Sequence, residues 1–278
     1  MTQTQKILVT GATGTVGRRV VAELLARGHE VRALTRDAAK AAFPAGVEVV
    51  EGDLTQPDDL GPALEGAASL HLITFGGAAF TPLETGPRIL ELARSAGVRR
   101  ITVLHGGGPT PLEDAVRADD GVQWTVLMPV EFMANALEWA DGIVASGEVR
   151  EPFVARLSAM AHEGDIGAVA AVALTEEGHG GQDYVITGPE LLTVGDKVAT
   201  IAAAAGREIT LVELTEEQAV EQWRAAGLTP DVIGFLLEAY GNTPEVGRTV
   251  SGTVEKVTGR PARTFAQWAA EHADAFKA

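Results

Sequence analysis

Apolar positions along this 278-residue chain follow two spacings, and the spacing predicts the elements. Residues 7–10 form a short β-branched run that ends at Gly11, the pattern of a buried strand. Val16, Val20, Val21, Leu24 and Leu25 then recur at helical spacing, with Arg18, Arg19, Glu23 and Arg27 on the other face. Gly28 stands where a helix C-terminus takes a left-handed residue. Further strands are predicted at residues 30–34, 47–50, 69–73, 100–104, 123–127 and 183–186. Helices are predicted over residues 82–96 (stopped by Gly97), 112–118 and 165–174. Strands alternating with helices imply βαβ units, a parallel sheet and right-handed crossovers. The last third turns helical, over residues 193–205, 215–226, 230–240 and 265–276, with one strand at 209–213.

Composition narrows the class. A hydrophobic fraction of 46% beside 22% charged residues supports a sizeable core. The 22 Lys+Arg against 38 Asp+Glu leave a net charge of −16, which argues against nucleic-acid binding. The absence of cysteine excludes disulfides, thiolate metal sites and a catalytic thiol. No apolar run approaches the ~20 residues that span a bilayer. Residues 1–6 lack the charged start and apolar stretch of a leader, so a cytoplasmic protein without membrane contact is expected. A homodimer is left open.

The strongest motif is Thr10-Gly-Ala-Thr-Gly-Thr-Val-Gly17, a Gly11-x-x-Gly14-x-x-Gly17 spacing between the first strand and the first helix. Gly11 permits the tight turn, Gly14 admits a pyrophosphate to the backbone, and Gly17 lets helix and strand pack closely. Gly11, Ala12, Thr13, Gly14, Thr15, Val16 and Gly17 are therefore the candidate phosphate cradle, with the helix N-terminus adding partial positive charge. A glycine turn that serves only packing is the alternative. The fold class expected is α/β: a Rossmann-type doubly wound parallel sheet in residues 1–190, with a substrate-side excursion around 130–162. A smaller, mainly helical C-terminal domain over residues 191–278 would cap the substrate.

The end of the second strand selects the nucleotide. It offers Thr35 and Arg36 and no carboxylate before Asp37, whereas an NAD site places Asp or Glu there for the ribose 2′-hydroxyl. Arg36 is placed to meet a 2′-phosphate, so NADP(H) is expected over NAD(H).

The same glycine stretch, the Thr35-Arg36 pair and Glu51-Gly-Asp-Leu54 resemble the NmrA-like group of atypical short-chain dehydrogenases. The resemblance continues through Trp124-Thr-Val-Leu-Met-Pro129, Phe132-Met-Ala-Asn135, Asp165-Ile166, Tyr184-x-x-Thr-Gly-Pro189, Thr258-Gly-Arg-Pro261 and Phe265-x-x-Trp268. It implies a Rossmann-type domain, a small substrate domain and bound NADP(H). By that likeness Asp53 and Leu54 flank the adenine, Thr74, Phe75 and Gly76 lie along the cofactor, and Pro129 joins the cofactor contacts. Two positions depart from the group: Met128 stands where it has Arg, and His105 where Ser is common.

The usual short-chain dehydrogenase dyad, a Tyr with a Lys four residues on, is absent: Gly188 follows Tyr184 and Pro244 follows Tyr240 at that spacing. Hydride transfer to a quinone, iminium or extended enone does not require it. His105, at a strand end before Gly106, Gly107 and Gly108, is a candidate to orient or protonate a substrate oxygen; a hydrogen bond within its loop is the alternative. Glu131 is a second candidate proton-handling group, although a solvated loop carboxylate is the simpler reading. Phe132, Met133, Asn135 and Trp139 have helical spacing and either line an aromatic-substrate pocket or, for Phe132 and Met133, belong to the core. No metal site is expected, because His162 opens no His-Glu-x-x-His helix, and no Gly-x-Ser-x-Gly elbow is present. The expected activity is NADPH-dependent reduction of a small aromatic or quinone-like electrophile, in the manner of secondary metabolism. A non-catalytic NADP(H)-sensing regulator and an accessory oxygenase or cyclase component are the alternatives.

Overall fold

The structure is a computed structural model and describes residues 4–76 and 81–277. In chain order its elements are β1 (Lys6–Val9), α1 (Thr15–Ala26), β2 (Glu30–Thr35), β3 (Val47–Glu51), α2 (Gly61–Leu64), β4 (Ser69–Ile73), β5 (Phe75–Gly76) and β6 (Thr81–Pro82). There follow α3 (Gly86–Ser95), β7 (Arg100–Leu104), α4 (Pro111–Arg117), β8 (Gln123–Pro129), α5 (Ala140–Ser146), β9 (Glu148–Pro152), α6 (Glu163–Thr175) and β10 (Gln182–Ile186). The chain closes with α7 (Val194–Ala205), β11 (Thr210–Leu214), α8 (Glu216–Ala225), α9 (Pro230–Gly241), α10 (Thr253–Thr258) and α11 (Phe265–Glu271). These form two compact units. Met1–Pro129, Glu163–Ile186 and Lys256–Gly259 make the first; Val130–His162, Thr187–Glu255 and Arg260–Ala278 make the second.

The first unit is built on a seven-stranded parallel sheet in the order β10-β8-β7-β4-β1-β2-β3. Strand order reverses between β1 and β4, the place where open α/β sheets bind ligands beyond their carboxyl ends. Alternation along the strands gives the sheet two buried faces. Leu8, Leu70, Leu72, Ile101 and Val103 point to the face covered by Ile89, Leu90, Leu112 and Val116 of α3 and α4. Ser69 points the other way and donates to the Leu174 carbonyl of α6 at 2.8 Å. Gly167 makes the helix pair on that face close, because a Cβ there would sit 2.8 Å from the backbone of Arg19 in α1.

The second unit has its own core, in which Met133, Ile143, Val149, Met160, Val194, Val198, Ile201, Phe265, Trp268 and Phe276 are buried together. Its two strands, β9 and β11, pair in parallel. β9 has no counterpart in the pattern reading, because Val149 alone is apolar among Glu148, Arg150 and Glu151. The helix expected over 82–96 begins only at Gly86, since residues 81–82 pair with β5 and Pro87 starts the helix. The terminal helix expected over 265–276 breaks at His272, whose ring stacks on Trp268 at 4.5 Å and whose Nδ1 meets the Trp268 carbonyl. Residues Met133–Trp139 wind as a 3₁₀ helix rather than the α-spacing expected there. No helix among the described residues is long and apolar enough to cross a membrane.

Candidate active site

The loop after β1 turns at Gly11, whose φ of +58° is open to glycine at little cost. A Cβ on Gly17 would overlap the Gly11 carbonyl, so close packing demands that glycine. Gly14 is different: among the described residues a Cβ there meets only the Gly11 oxygen, at 3.2 Å. Gly14 also starts α1 with no side-chain cap and no acid in the first turn, leaving first-turn N–H groups available to an anion. Thr13, Gly14 and Thr15 are exposed, while Ala12, Val16 and Gly17 are buried beneath them. Arg18 fixes the loop by donating to the Thr13 carbonyl at 2.9 Å and the Ala42 carbonyl at 3.0 Å.

At the end of β2, Arg36 is exposed and makes no hydrogen bond or ion pair among the described residues. Its neighbour Asp37 is occupied: it accepts from the Lys40 N–H at 3.2 Å and pairs with the Lys40 ammonium at 2.7 Å. Those contacts hold its carboxyl below the usual range, the Lys40 side chain being the main cause. Thr35 Oγ1 is bonded to the backbone of Asp37. Beyond β3, Asp53 accepts from the N–H and hydroxyl of Thr55, both at 2.9 Å, and Leu54 is buried.

The end of β4 lies beside the glycine turn, and the end of β7 lies beside that of β4. Ile73 Cγ2 would be 2.8 Å from a Cβ on Gly11, which brings Thr74, Phe75 and Gly76 next to the glycine turn. Thr74 is buried and donates to the Leu104 carbonyl at 3.3 Å, while Phe75 and Gly76 are partly exposed. Gly106 admits the Phe75 ring, which any Cβ there would overlap. His105 follows β7 with its N–H bonded to the Leu127 carbonyl at 2.9 Å. Its Nδ1 lies 2.6 Å from Oε1 of Glu113, a residue that spacing along the chain did not single out. The visible signal was the Thr110-x-x-Glu113 capping box that begins α4.

In the second unit Glu131 is not the solvated loop carboxylate expected. Its side chain is 18% exposed and its Oε2 accepts from the Lys197 ammonium at 3.1 Å. Burial pushes its carboxyl up, but Lys197, Ser158 and Arg156 outweigh burial and hold it below the usual range. Lys197 is wholly buried and also donates to Ser158 Oγ at 2.7 Å. It too was missed, since a lysine on an amphipathic helix reads as solvated. Met133 is 1% exposed in the second core; Phe132 is partly exposed, Asn135 exposed, and Trp139 donates Nε1–H to Glu151 at 2.9 Å. Pro129 ends β8, partly exposed.

Comparison with known proteins decides the family. The profile of a family described as NAD(P)H-binding matches residues 11–124. The chain is 36% identical to the NAD(P)H azoreductase of Xenophilus azovorans over 98% of this chain and 99% of that one. It is also 36% identical to the (4-alkanoyl-5-oxo-2,5-dihydrofuran-3-yl)methyl phosphate reductase of Streptomyces griseus, over 97% of this chain and 99% of that one. The NADPH-dependent quinone oxidoreductase of Escherichia coli, solved with NADPH, superposes with a TM-score of 0.79 at 25% identity, covering 95% of this chain and 99% of that one. The chain belongs to the NAD(P)H-binding, NmrA-like atypical short-chain dehydrogenase/reductase family.

As a member it is an NAD(P)H-dependent oxidoreductase. The glycine turn suits the nucleotide: the lightly contacted Gly14 and the uncapped start of α1 are what a pyrophosphate requires. Neither tyrosine of this NmrA-like reductase is an activated phenol. Burial pushes the Tyr184 hydroxyl up, and burial with the Glu131, Glu151 and Glu138 carboxylates pushes Tyr240 up further.

Proposed function

We propose that this reductase passes hydride from NADPH to a small conjugated acceptor of the azo or quinone type. The observation that carries the reading is the end-to-end similarity to the Xenophilus azovorans azoreductase. The nicotinamide supplies the hydride; the protein has to bind, orient and manage the proton. Gly11, Ala12, Thr13, Gly14, Thr15, Val16 and Gly17 cradle the pyrophosphate. The unpaired Arg36 takes the 2′-phosphate, with Thr35 beside it, while Asp37 is tied to Lys40; this supports NADPH over NADH. Asp53 and Leu54 flank the adenine, and Thr74, Phe75, Gly76 and Pro129 line the rest of the nucleotide.

An azo bond or quinone accepts hydride without a strong acid, which suits a protein whose two phenols are both raised. His105 is the proton donor, since its Nε2 makes no bond among the described residues and its side chain is 20% exposed. In the second unit Phe132, Asn135 and Trp139 are the candidate acceptor contacts. Met133 belongs to that unit's buried core, and Glu131, ionised against Lys197, anchors its loop through its carbonyl, which accepts from the Ala161 N–H at 2.7 Å. The test is NADPH consumption by purified protein with benzoquinones, azo dyes and aliphatic ketones. Turnover with the first two classes and not the third is expected. No turnover with any of them, while calorimetry shows NADPH bound, would overturn the reading in favour of a nucleotide sensor.

A further inference from the structure

The carboxylate of Glu113 serves two partners at once. Its Oε2 accepts from the backbone N–H and the hydroxyl of Thr110, both at 3.0 Å, and closes the capping box of α4. Its Oε1 lies 2.6 Å from Nδ1 of His105, eight residues back along the chain. With the Glu113 side chain 1% exposed, both oxygens are committed to protein groups. A helix cap needs only one of them. A carboxylate offers acceptors alone, so the close contact is made by Nδ1–H and the neutral ring carries its lone pair on Nε2. That nitrogen belongs to a ring 20% exposed at the end of β7.

We propose that Glu113 is the positioning residue of His105: it holds the imidazole in the Nδ1–H tautomer and so makes Nε2 the atom that carries the catalytic proton. The proposal rests on the reading of His105 as proton donor given above. The step balances as follows. One π bond of the acceptor is spent; one of its atoms gains hydride from NADPH and the other gains the proton from Nε2 of the imidazolium. NADP⁺ and the neutral ring remain, and Nε2 is reprotonated from water. Nδ1–H never leaves Glu113, which is the role of the carboxylate that orients histidine in hydrolase triads.

Glu113→Gln separates this role from capping. Thr110 N–H still needs an acceptor, so the amide oxygen must turn toward it, and the amide NH₂ must then face Nδ1. The contact survives only if the ring proton moves to Nε2. Histidine ring ¹H–¹⁵N correlation spectra, with the signals assigned by His105→Asn, should show an Nδ1–H ring in the natural protein and an Nε2–H ring in Glu113→Gln. That readout needs no substrate. In turnover Glu113→Gln should lower kcat by about 10²-fold, the low end of what positioned proton transfer contributes, with KM nearly unchanged. Glu113→Asp, which keeps an acceptor-only group, should regain part of the rate, and thermal unfolding should show both variants folded. An Nε2–H ring in the natural protein overturns the proposal whatever the variants do. So does an unchanged kcat in Glu113→Gln when His105→Phe is slow. An unchanged rate in His105→Phe itself removes the donor role on which the proposal stands, and the tautomer spectra then locate the error in His105 rather than in Glu113.

Discussion

His71 makes the stability of this reductase sensitive to mild acid in a way that can be worked out in advance. The residue sits in β4, fully buried, on the sheet face that carries Ser69 and α6. Its Nδ1 lies 2.7 Å from Thr102 Oγ1, and its Nε2 has no hydrogen-bond partner among the described residues. Protonation would place a charge where nothing accepts the second N–H, and burial pushes the histidine down from 6.5 to about 4. The folded value lies below the unfolded one, so the stabilisation is complete above pH 6.5. It falls as acid protonates the unfolded chain and levels off below about pH 4. Linkage over that interval amounts to roughly 3 kcal/mol in all and about 2 kcal/mol by pH 5. His71→Leu fills similar volume and cannot titrate, although it leaves Thr102 without its partner and lowers stability at neutral pH by about 1 kcal/mol. Urea unfolding of both proteins at pH 7.5, 6 and 5 isolates the term, because shared carboxylate titrations cancel in the difference. The natural protein should lose about 2 kcal/mol more than the variant between pH 7.5 and 5. Parallel losses would refute the argument and place a proton acceptor or water against Nε2.

Three further outcomes are expected. Arg36→Ala should weaken NADPH binding by about 1.5–3 kcal/mol and leave NADH nearly unchanged in calorimetry; equal losses would remove Arg36 from the 2′-phosphate. Gly14→Val should retain the fold by circular dichroism, since among the described residues the Cβ meets one atom, at 3.2 Å, yet lose nucleotide binding; normal affinity would put the phosphates elsewhere. Lys197→Met should destabilise the protein by about 3 kcal/mol, because it strands a mostly buried carboxylate, and adding Glu131→Gln should recover part of that loss. If the double variant is no more stable than the single one, the ion pair is not the reason Lys197 is buried.

What could be read from the chain depended on how local the cause was. The strand before Gly11 and the helix after it are dictated by spacing within about twenty residues, and β1, α1 and the glycine turn stand where the pattern put them. The fully apolar stretch of α6 was equally legible, because a helix buried on every side needs no partner's pattern to be recognised. β9 was not. Its residues Glu148, Arg150 and Glu151 give no period of two, and the strand exists because β11 supplies the ladder from some sixty residues downstream. The 3₁₀ winding of Met133–Trp139 was hidden for a related reason: the apolar spacing of Phe132, Met133 and Trp139 tolerates either helix, and packing chose.

The candidate site divides along the same line, and its charged groups show it most sharply. Arg36 could be singled out from sequence because its assignment depends on an absence nearby, that of a carboxylate at the end of β2. Glu131 could not, since the group that determines its state, Lys197, lies 66 residues away on α7. Read alone, each looked solvated; brought together they form a pair whose lysine is wholly buried. Removing two opposite charges from water is unfavourable unless each meets its counterpart and further hydrogen bonds, here the one Lys197 donates to Ser158 Oγ. His105 and Glu113 stand between these cases. Only eight residues separate them, and the capping box announced that Glu113 faces inward, yet a cap accounts for one carboxylate oxygen and leaves the other unassigned. The useful question for such a residue is where its second oxygen goes. Here it goes to the imidazole at the end of β7, so a signal ordinarily read as the start of a helix also marks what fixes that ring.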